Sequence, residues 1–299
     1  MQFEKNILSL YGQQGQAWLN DLPSLTEKLA KTWGLSDVQV LPNLSYNYVA
    51  TCIQEEIPVV LKIGFNKTEV QTEIQALKFF AGNGCVKLLD TDSEQGALLL
   101  QRIIPGISLK TLPPEQDRHA AEITSQVIKK LQLQSVKNIQ QSGIPRLEDW
   151  LATLDKNWDL PQPHLEKARA LKSHLLAPTT HTMLLHGDLH NDNILSYGDN
   201  RWIAIDPKGV IGDPVYEVGA AIYNPMPETA APNAAKQIIQ ARIDVCAETL
   251  GFDRQRILDW AFVQVVLRAC WALEDGIQDE RDDVAYFLKM AENLESLTR

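Results

Sequence analysis

Between two apolar anchors the chain reads Leu184-Leu185-His186-Gly187-Asp188-Leu189-His190-Asn191-Asp192-Asn193-Ile194-Leu195. A stretch buried at both ends and this polar between them needs partners for its groups, and a metal, a phosphate and a substrate would supply them. Thirteen residues after Asn193, the run Trp202-Ile203-Ala204-Ile205 delivers Asp206 at the end of an apolar strand, followed by Pro207-Lys208-Gly209. Two short strands flanking a turn would bring Asn193 and Asp206 side by side. Their side-chain oxygens are hard ligands suited to Mg²⁺, which keeps several waters and takes other oxygens from a triphosphate. Asp188, five residues before Asn193, would then face an opening for an acceptor hydroxyl. Taken singly, each of the three reads better as a cap or turn residue. The ordered set with its apolar flanks reads as a functional site.

Residues 21–34 have the pattern of a helix: Leu22, Leu25, Leu29 and Trp33 recur at helical spacing, Ser24 and Glu27 form a capping box, and Gly34 ends it. Strands follow at 38–41, 48–53 and 58–63, the last two joined by Gln54-Glu55-Glu56 as a hairpin. A helix with Val70, Ile74, Leu77 and Ala81 on its buried stripe runs to Gly82, and strands at 86–89 and 97–101 flank a turn over 91–96. Composition changes at Arg102-Ile103-Ile104-Pro105-Gly106. From about residue 114 the pattern is helical, broken by short apolar runs at 183–186, 193–196 and 202–205, and 230–233 reads as a loop opening a helix. The expectation is an α+β protein with a small β-rich lobe, 1–102, and a larger helical lobe, 103–299.

The composition sets limits on function. The 299 residues are 44% hydrophobic and 22% charged, enough for two domains. No apolar run spans a membrane, and Met1-Gln2-Phe3-Glu4-Lys5 lacks the order of a signal peptide, so a cytoplasmic location is expected. Cys52, Cys85, Cys246 and Cys270 are too scattered for a zinc site or a disulfide framework and read as small buried hydrophobes. A formal charge of -10 argues against a nucleic-acid partner and would suit a cationic ligand, although acidity for solubility alone is the better reading of the charge by itself.

The pattern His186-Gly187-Asp188-x4-Asn193 with the later Ile205-Asp206-Pro207 resembles the signature of the aminoglycoside phosphotransferases. The longer run Ile205-Asp206-Pro207-Lys208-Gly209-x2-Gly212-Asp213-Pro214-x2-Glu217 is most similar to their streptomycin and hydroxyurea kinase branch. That resemblance implies a bilobal protein-kinase-like fold, ATP or GTP as co-substrate and Mg²⁺ as cofactor. Asp188 matches the aspartate that accepts the acceptor's hydroxyl proton, and Asn193 and Asp206 match the magnesium ligands. Lys62, the one charge in Val60-Leu61-Lys62-Ile63, matches the lysine of the third strand; taken alone it could equally be an edge-strand lysine. Its glutamate partner is expected at Glu73, with Glu69 one turn away. The segment Gln101-Arg102-Ile103-Ile104-Pro105-Gly106 looks like the hinge between lobes, where backbone groups, with Gln101 and Ile103 as the candidates, would bind an adenine ring. Ser45 and Asn43 stand in the phosphate loop, where Pro42-Asn43-Leu44-Ser45-Tyr46-Asn47-Tyr48 holds no glycine. His186 is expected to brace the loop, His190 to be packed or hydrogen-bonded in it, and Asp213 to tie down backbone. Six residues separate Asp206 from Asp213 and Gly187 replaces a phosphate-binding arginine, which leaves no activation segment and favours a small-molecule acceptor.

The first reading of the acceptor is an aminoglycoside or hydroxyurea. Between Leu273 and Asp283 six acids face one base, and Glu274 and Asp275 are the candidate contacts for a cationic acceptor, against a solvated helix end. A metabolic acceptor (amino alcohol, sugar or nucleoside) would use the same fold and catalytic residues. A nucleotide-binding protein without catalysis is disfavoured by the joint presence of Lys62, Asp188, Asn193 and Asp206.

Overall fold

Apolar residues recur at helical spacing through Phe3, Ile7 and Tyr11 and again through Trp18, Leu22, Leu25, Leu29 and Trp33, and they build α1 (Gln2–Trp33), two helical segments joined at a kink where Gly12 leaves helical geometry (φ 52°, ψ -127°). The helix expected over 21–34 is therefore only the second half of α1. Ser24 lies inside it, its hydroxyl donating to the Asp21 carbonyl at 3.0 Å instead of capping an end. A glycine bend and a glutamine-rich stretch hide the continuity from a periodicity reading. The computed structural model describes residues 2–133, 143–177, 182–224, 232–275 and 280–297. The chain divides into two units, Met1–Ile104 and Pro105–Arg299.

In the first unit α1 is followed by β1 (Leu35–Val40), β2 (Asn47–Gln54), β3 (Ile57–Gly64), α2 (Lys67–Phe80), β4 (Leu88–Asp92) and β5 (Ala97–Gln101). The strands form an antiparallel sheet in the order β1-β2-β3-β5-β4. Glu55 and Glu56 both take positive φ (46° and 69°), the demand of a two-residue hairpin turn whose twist matches its strands. The Asn66 side chain caps α2 by accepting from the amides of Thr68 and Glu69, and Ala81 closes it in the left-handed region at φ 49°. Ile74, Leu77 and Phe80 are fully buried on its inner face, each worth about 1.5–3 kcal/mol of apolar burial. Phe3, Ile7, Leu29 and Trp33 of α1 pack with Ala50, Val59, Leu61, Ile63 and Leu99 of the sheet into one core. β4 begins two residues later than the expected 86–89 and runs through polar Asp90-Thr91-Asp92. It is an edge strand set by its ladder to β5, not by apolar alternation.

The second unit holds β6 (Pro105–Ser108), α3 (Asp117–Leu131), α4 (Leu147–Leu151), α5 (Gln162–Leu175), β7 (Met183–Leu185), β8 (Ile194–Tyr197), β9 (Arg201–Ala204), β10 (Val210–Gly212), α6 (Gly219–Tyr223), α7 (Pro232–Leu250), α8 (Arg254–Asp275) and α9 (Glu280–Glu295). β6 joins β8 and β9 in a small sheet, and β10 pairs with β7. Both β6 and β10 are too short to carry a period and were not expected. α8 is apolar nearly all round, with Trp260, Phe262, Val263, Val265, Val266 and Leu267 buried, as a helix packed against α5, α6, α7 and α9 requires. Of the loop expected over 230–233, the first two residues lie outside the described residues and the last two already belong to α7, which begins at Pro232. The four cysteines are buried and unbridged. Among the described residues no helix is long and apolar enough to cross a membrane.

Candidate active site

β7 runs into the polar loop at His186, which is completely buried. Its Nε2–H donates to the Ile205 carbonyl at 2.8 Å, and Nδ1 accepts from the Asp188 amide at 3.3 Å. Burial pushes its pKa down to about 4, so the ring is neutral and can hold both bonds at once. The His186 carbonyl accepts from the amides of Lys208 (2.8 Å) and Gly209 (3.1 Å). His186 thus laces the 186–188 turn to the 205–209 turn. A second clamp comes from Glu217, whose carboxylate accepts from the amides of His186 (2.5 Å) and Gly187 (3.0 Å). Burial pushes Glu217 up to about 7 against the pull of those two bonds. Gly187 sits at φ +84°, and a Cβ there would lie 2.7 Å from the Trp150 ring, so a side chain is excluded.

Asp188 leaves this turn with its carboxylate 13% exposed. Oδ1 is ion-paired to the guanidinium of Arg268 on α8. Oδ2 makes no hydrogen bond among the described residues, and His190 Nε2 stands 3.9 Å from it. Burial opposes ionisation, but Arg268, His190, Lys208 and His186 together outweigh it and hold the carboxyl below its usual range. His190 is hydrogen-bonded within the loop, accepting from the Asp192 amide at 3.3 Å.

Asn193 spends its amide on the loop: Nδ2 donates to the Asp188 carbonyl at 2.9 Å. Its Oδ1 carries no bond among the described residues. The β8–β9 ladder pairs Ile194 with Ala204 and extends by one bond, from the Ile205 amide to the Asn193 carbonyl at 2.9 Å, so Asp206 follows directly on the residue opposite Asn193. Asp206 adopts φ 59°, a conformation that aspartate tolerates better than most residues, and Lys208 Nζ lies 2.9 Å from its Oδ2. Asp188, Asn193 and Asp206 thus belong to one hydrogen-bonded unit. Among the described residues no group of three or more His, Cys, Asp or Glu could hold a metal. One amide oxygen and one carboxylate are hard oxygen donors of the kind that suit Mg²⁺, an ion that takes its remaining ligands from waters and phosphate oxygens.

Asp213 does more than hold its own loop. Its carboxylate accepts from the Val215 amide (2.9 Å), from Trp260 Nε1 (2.8 Å) and from Arg256 Nε (2.8 Å), and so fastens the 213–218 turn to α8.

In the first unit, Lys62 of β3 is 5% exposed and Glu73 of α2 is 7% exposed. Lys62 Nζ lies 2.7 Å from both Glu73 oxygens. Glu69 is turned to the helix start, where it accepts from Asn66 Nδ2 at 2.7 Å. Ser45 is exposed in the loop between β1 and β2, its carbonyl bonded by Asn6 Nδ2 at 3.1 Å. Gln101 ends β5, its amide donating to the Lys87 carbonyl at 3.0 Å, and Ile103 is buried. In the second unit, Glu274 is paired with Lys156 at 2.5 Å. Asp275 is the last residue of α8, and residues 276–279 of the acidic run lie outside the described residues.

Three contributors escaped the sequence reading. Arg268 carried a signal, as the one charge in the apolar run from Phe262 to Trp271. Glu217 stood in the quoted motif without a role. Asn6 had no signal, since an asparagine in an amphipathic helix reads as surface.

Comparison with known proteins bears on the family and the fold. The sequence model described as "Aminoglycoside/hydroxyurea antibiotic resistance kinase" matches residues 32–276. Streptomycin 6-kinase of Streptomyces glaucescens is 27% identical over 277 residues, covering 89% of this chain and 88% of that protein. Hydroxyurea phosphotransferase of Kitasatospora aureofaciens is 27% identical over 276 residues, covering 89% and 77% respectively. Among solved structures, a thermostable mutant of aminoglycoside phosphotransferase APH(4)-Ia, in a ternary complex with ADP and hygromycin B, superposes with a TM-score of 0.67 at 16% identity. That superposition covers 90% of this chain and 97% of the other, and it shows the protein-kinase-like fold. With the loop from His186 to Asp206 inside a match that takes in most of both units, the chain belongs to the aminoglycoside/hydroxyurea antibiotic resistance kinase family.

Proposed function

We propose that the protein transfers the γ-phosphate of a nucleoside triphosphate to the hydroxyl of an aminoglycoside such as streptomycin, or of hydroxyurea. Asp188 Oδ2 takes the proton of the acceptor hydroxyl. The acceptor oxygen bonds to the γ-phosphorus as the bond from that phosphorus to the β–γ bridging oxygen breaks. Asn193 Oδ1 and the Asp206 carboxylate would hold a magnesium ion, which when bound would neutralise charge on the triphosphate. Lys62, held by Glu73, binds phosphate oxygens, Ser45 serves the phosphate loop, and the backbone from Gln101 to Ile103 meets the base. Glu274 and Asp275 are the acids offered to a cationic acceptor. The observation that supports this most is the economy of the loop: Asn193 anchors the Asp188 carbonyl with its amide nitrogen while Oδ1 stays unbonded, and Asp206 follows the residue paired with Asn193. The relatives named for streptomycin and hydroxyurea, and the neighbour that binds ADP together with hygromycin B, support the choice of co-substrate and acceptor class.

The test is a pair of variants assayed with MgATP and streptomycin, then with hydroxyurea. Asp188→Asn is expected to lose about 10²- to 10⁴-fold in kcat with nucleotide affinity held within a few-fold, since this side chain addresses the acceptor. Asp206→Ala is expected to weaken nucleotide binding only when magnesium is present, read by calorimetric titration with and without the metal. An Asp188→Asn enzyme keeping more than about a tenth of the wild-type kcat removes Asp188 from the chemistry.

A further inference from the structure

Asp188 depends on its neighbours for orientation, and what holds its side chain comes from far along the chain. The loop itself supplies only backbone contacts: the Asp188 amide donates to His186 Nδ1, and the Asp188 carbonyl accepts from Asn193 Nδ2. His190 Nε2, at 3.9 Å from Oδ2, is beyond hydrogen-bonding distance. An aspartate fixed at its backbone alone still turns about χ1 and χ2. Here one carboxylate oxygen, Oδ1, is taken by the Arg268 guanidinium and the other is left without a bond among the described residues.

We propose that Arg268 is a positioning residue for phosphoryl transfer: by holding Oδ1 of Asp188 it fixes the carboxylate so that Oδ2 is the oxygen that receives the acceptor's proton. The inference rests on the reading of Asp188 as the base. Arg268 is suited to the task because its own place is rigid. Its flanking residues on α8, Leu267, Ala269 and Cys270, are all fully buried, so the helix cannot slide. Its guanidinium lies over the Trp271 ring at 5.6 Å, and Trp271 meets Trp150 edge-on at 5.7 Å. Trp150 in turn closes over Gly187, the residue before Asp188. The aspartate is therefore held from both sides by one packed set of rings and one helix. Orientation is also what this chemistry asks of its base. Phosphoryl transfer through a loose transition state needs little proton affinity and much positioning. A lysine could supply the charge but not a planar guanidinium that lies over the Trp271 ring while one of its N–H groups donates to Oδ1.

Arg268→Ala and Arg268→Lys, assayed with MgATP and the acceptor used for Asp188→Asn, test the proposal. Arg268→Ala is expected to lose about 10²-fold in kcat, the cost of a misplaced reacting group, with KM for MgATP within about threefold. Guanidinium added at millimolar concentration should restore about tenfold or more of that loss, and Arg268→Lys should fall between alanine and wild type. In an Asp188→Asn background Arg268→Ala should cost nothing further, because the group it positions is gone. The proposal is overturned if Arg268→Ala keeps more than about half of the wild-type kcat, or if its loss is spread over nucleotide affinity and thermal stability with no rescue by guanidinium. An active Asp188→Asn enzyme sinks the base assignment instead, whereas an inactive one beside a fully active Arg268→Ala sinks only the role of Arg268.

Discussion

Burial pushes Glu217 up to about 7 and His186 down to about 4, and the two consequences for stability have opposite signs. For Glu217, raised from an ordinary 4.5, the unfolded chain gives up its proton first. Its contribution is complete below that value and is lost as the pH rises through about 7. For His186, lowered from 6.5, the unfolded chain binds a proton first on acidification. Its contribution is complete above 6.5 and is lost as the pH falls towards about 4. Between these limits the two slopes offset each other in the wild-type protein. Glu217→Gln should therefore unmask the His186 slope. Measured by urea unfolding from about pH 5 to 6.5, the variant should gain stability relative to wild type by up to about 1.4 kcal/mol per pH unit. Parallel curves for the two proteins would mean that Glu217 titrates at its ordinary value. The pH dependence of this loop is invisible in the sequence, because it comes from burial and from a carboxylate 31 residues from the amide it binds.

At the scale of elements, α1 is the part least legible beforehand and most closely joined to a candidate site segment. Its first turns cover the loop between β1 and β2: Gln2 Nε2 donates to Asn6 Oδ1 at 2.8 Å, and Asn6, 6% exposed, donates to the Ser45 carbonyl at 3.1 Å. A loop without glycine cannot wrap a phosphate through backbone freedom, and here it is braced from outside instead. Asn6→Ala should cost about 1 kcal/mol in stability, the worth of one partly buried hydrogen bond. It should also raise KM for MgATP several-fold while leaving KM for the acceptor alone, since Ser45 is assigned to the phosphate loop. Steady-state kinetics varying each substrate in turn measure both. Equal shifts in the two constants would assign Asn6 to general packing. The apolar spacing of α1 was present from Phe3 onward, but the Gly12 bend broke the period; β6 and β10 had no period to break, and their pairing partners decided them.

Across the whole molecule, acids outnumber bases by 38 to 28. One exposed pair near the end of α8 tests whether that excess serves the acceptor. Glu274 is bonded to Lys156 at 2.5 Å, and both side chains are about half exposed, so the pair itself is worth little and a cationic acceptor could displace the lysine. Glu274→Gln combined with Asp275→Asn is expected to raise KM for streptomycin about tenfold or more, with kcat changed less, and the effect should shrink as salt rises. Hydroxyurea, without a charge to be recognised, should be indifferent to the same change. A KM for streptomycin within about twofold of wild type at low salt would leave the acidic excess to solubility.

The α+β class, the antiparallel hairpin at Glu55-Glu56 and the stripe of α2 followed from local spacing, and so did the selection of Asp188, Asn193 and Asp206 from among 38 acids and the many asparagines. Period and turn chemistry are short-range properties, and a loop that is polar between apolar anchors announces itself over a dozen residues. The tertiary structure alone decided which groups meet those residues. Arg268 reaches Asp188 across 80 positions, Glu217 reaches His186 across 31, and Asn6 reaches Ser45 across 39. A partner at such a distance is chosen by the packing of helices and sheets, which has no period along the chain. Asp188 could thus be singled out from the sequence, while its partner Arg268 became visible only once α8 lay against the loop.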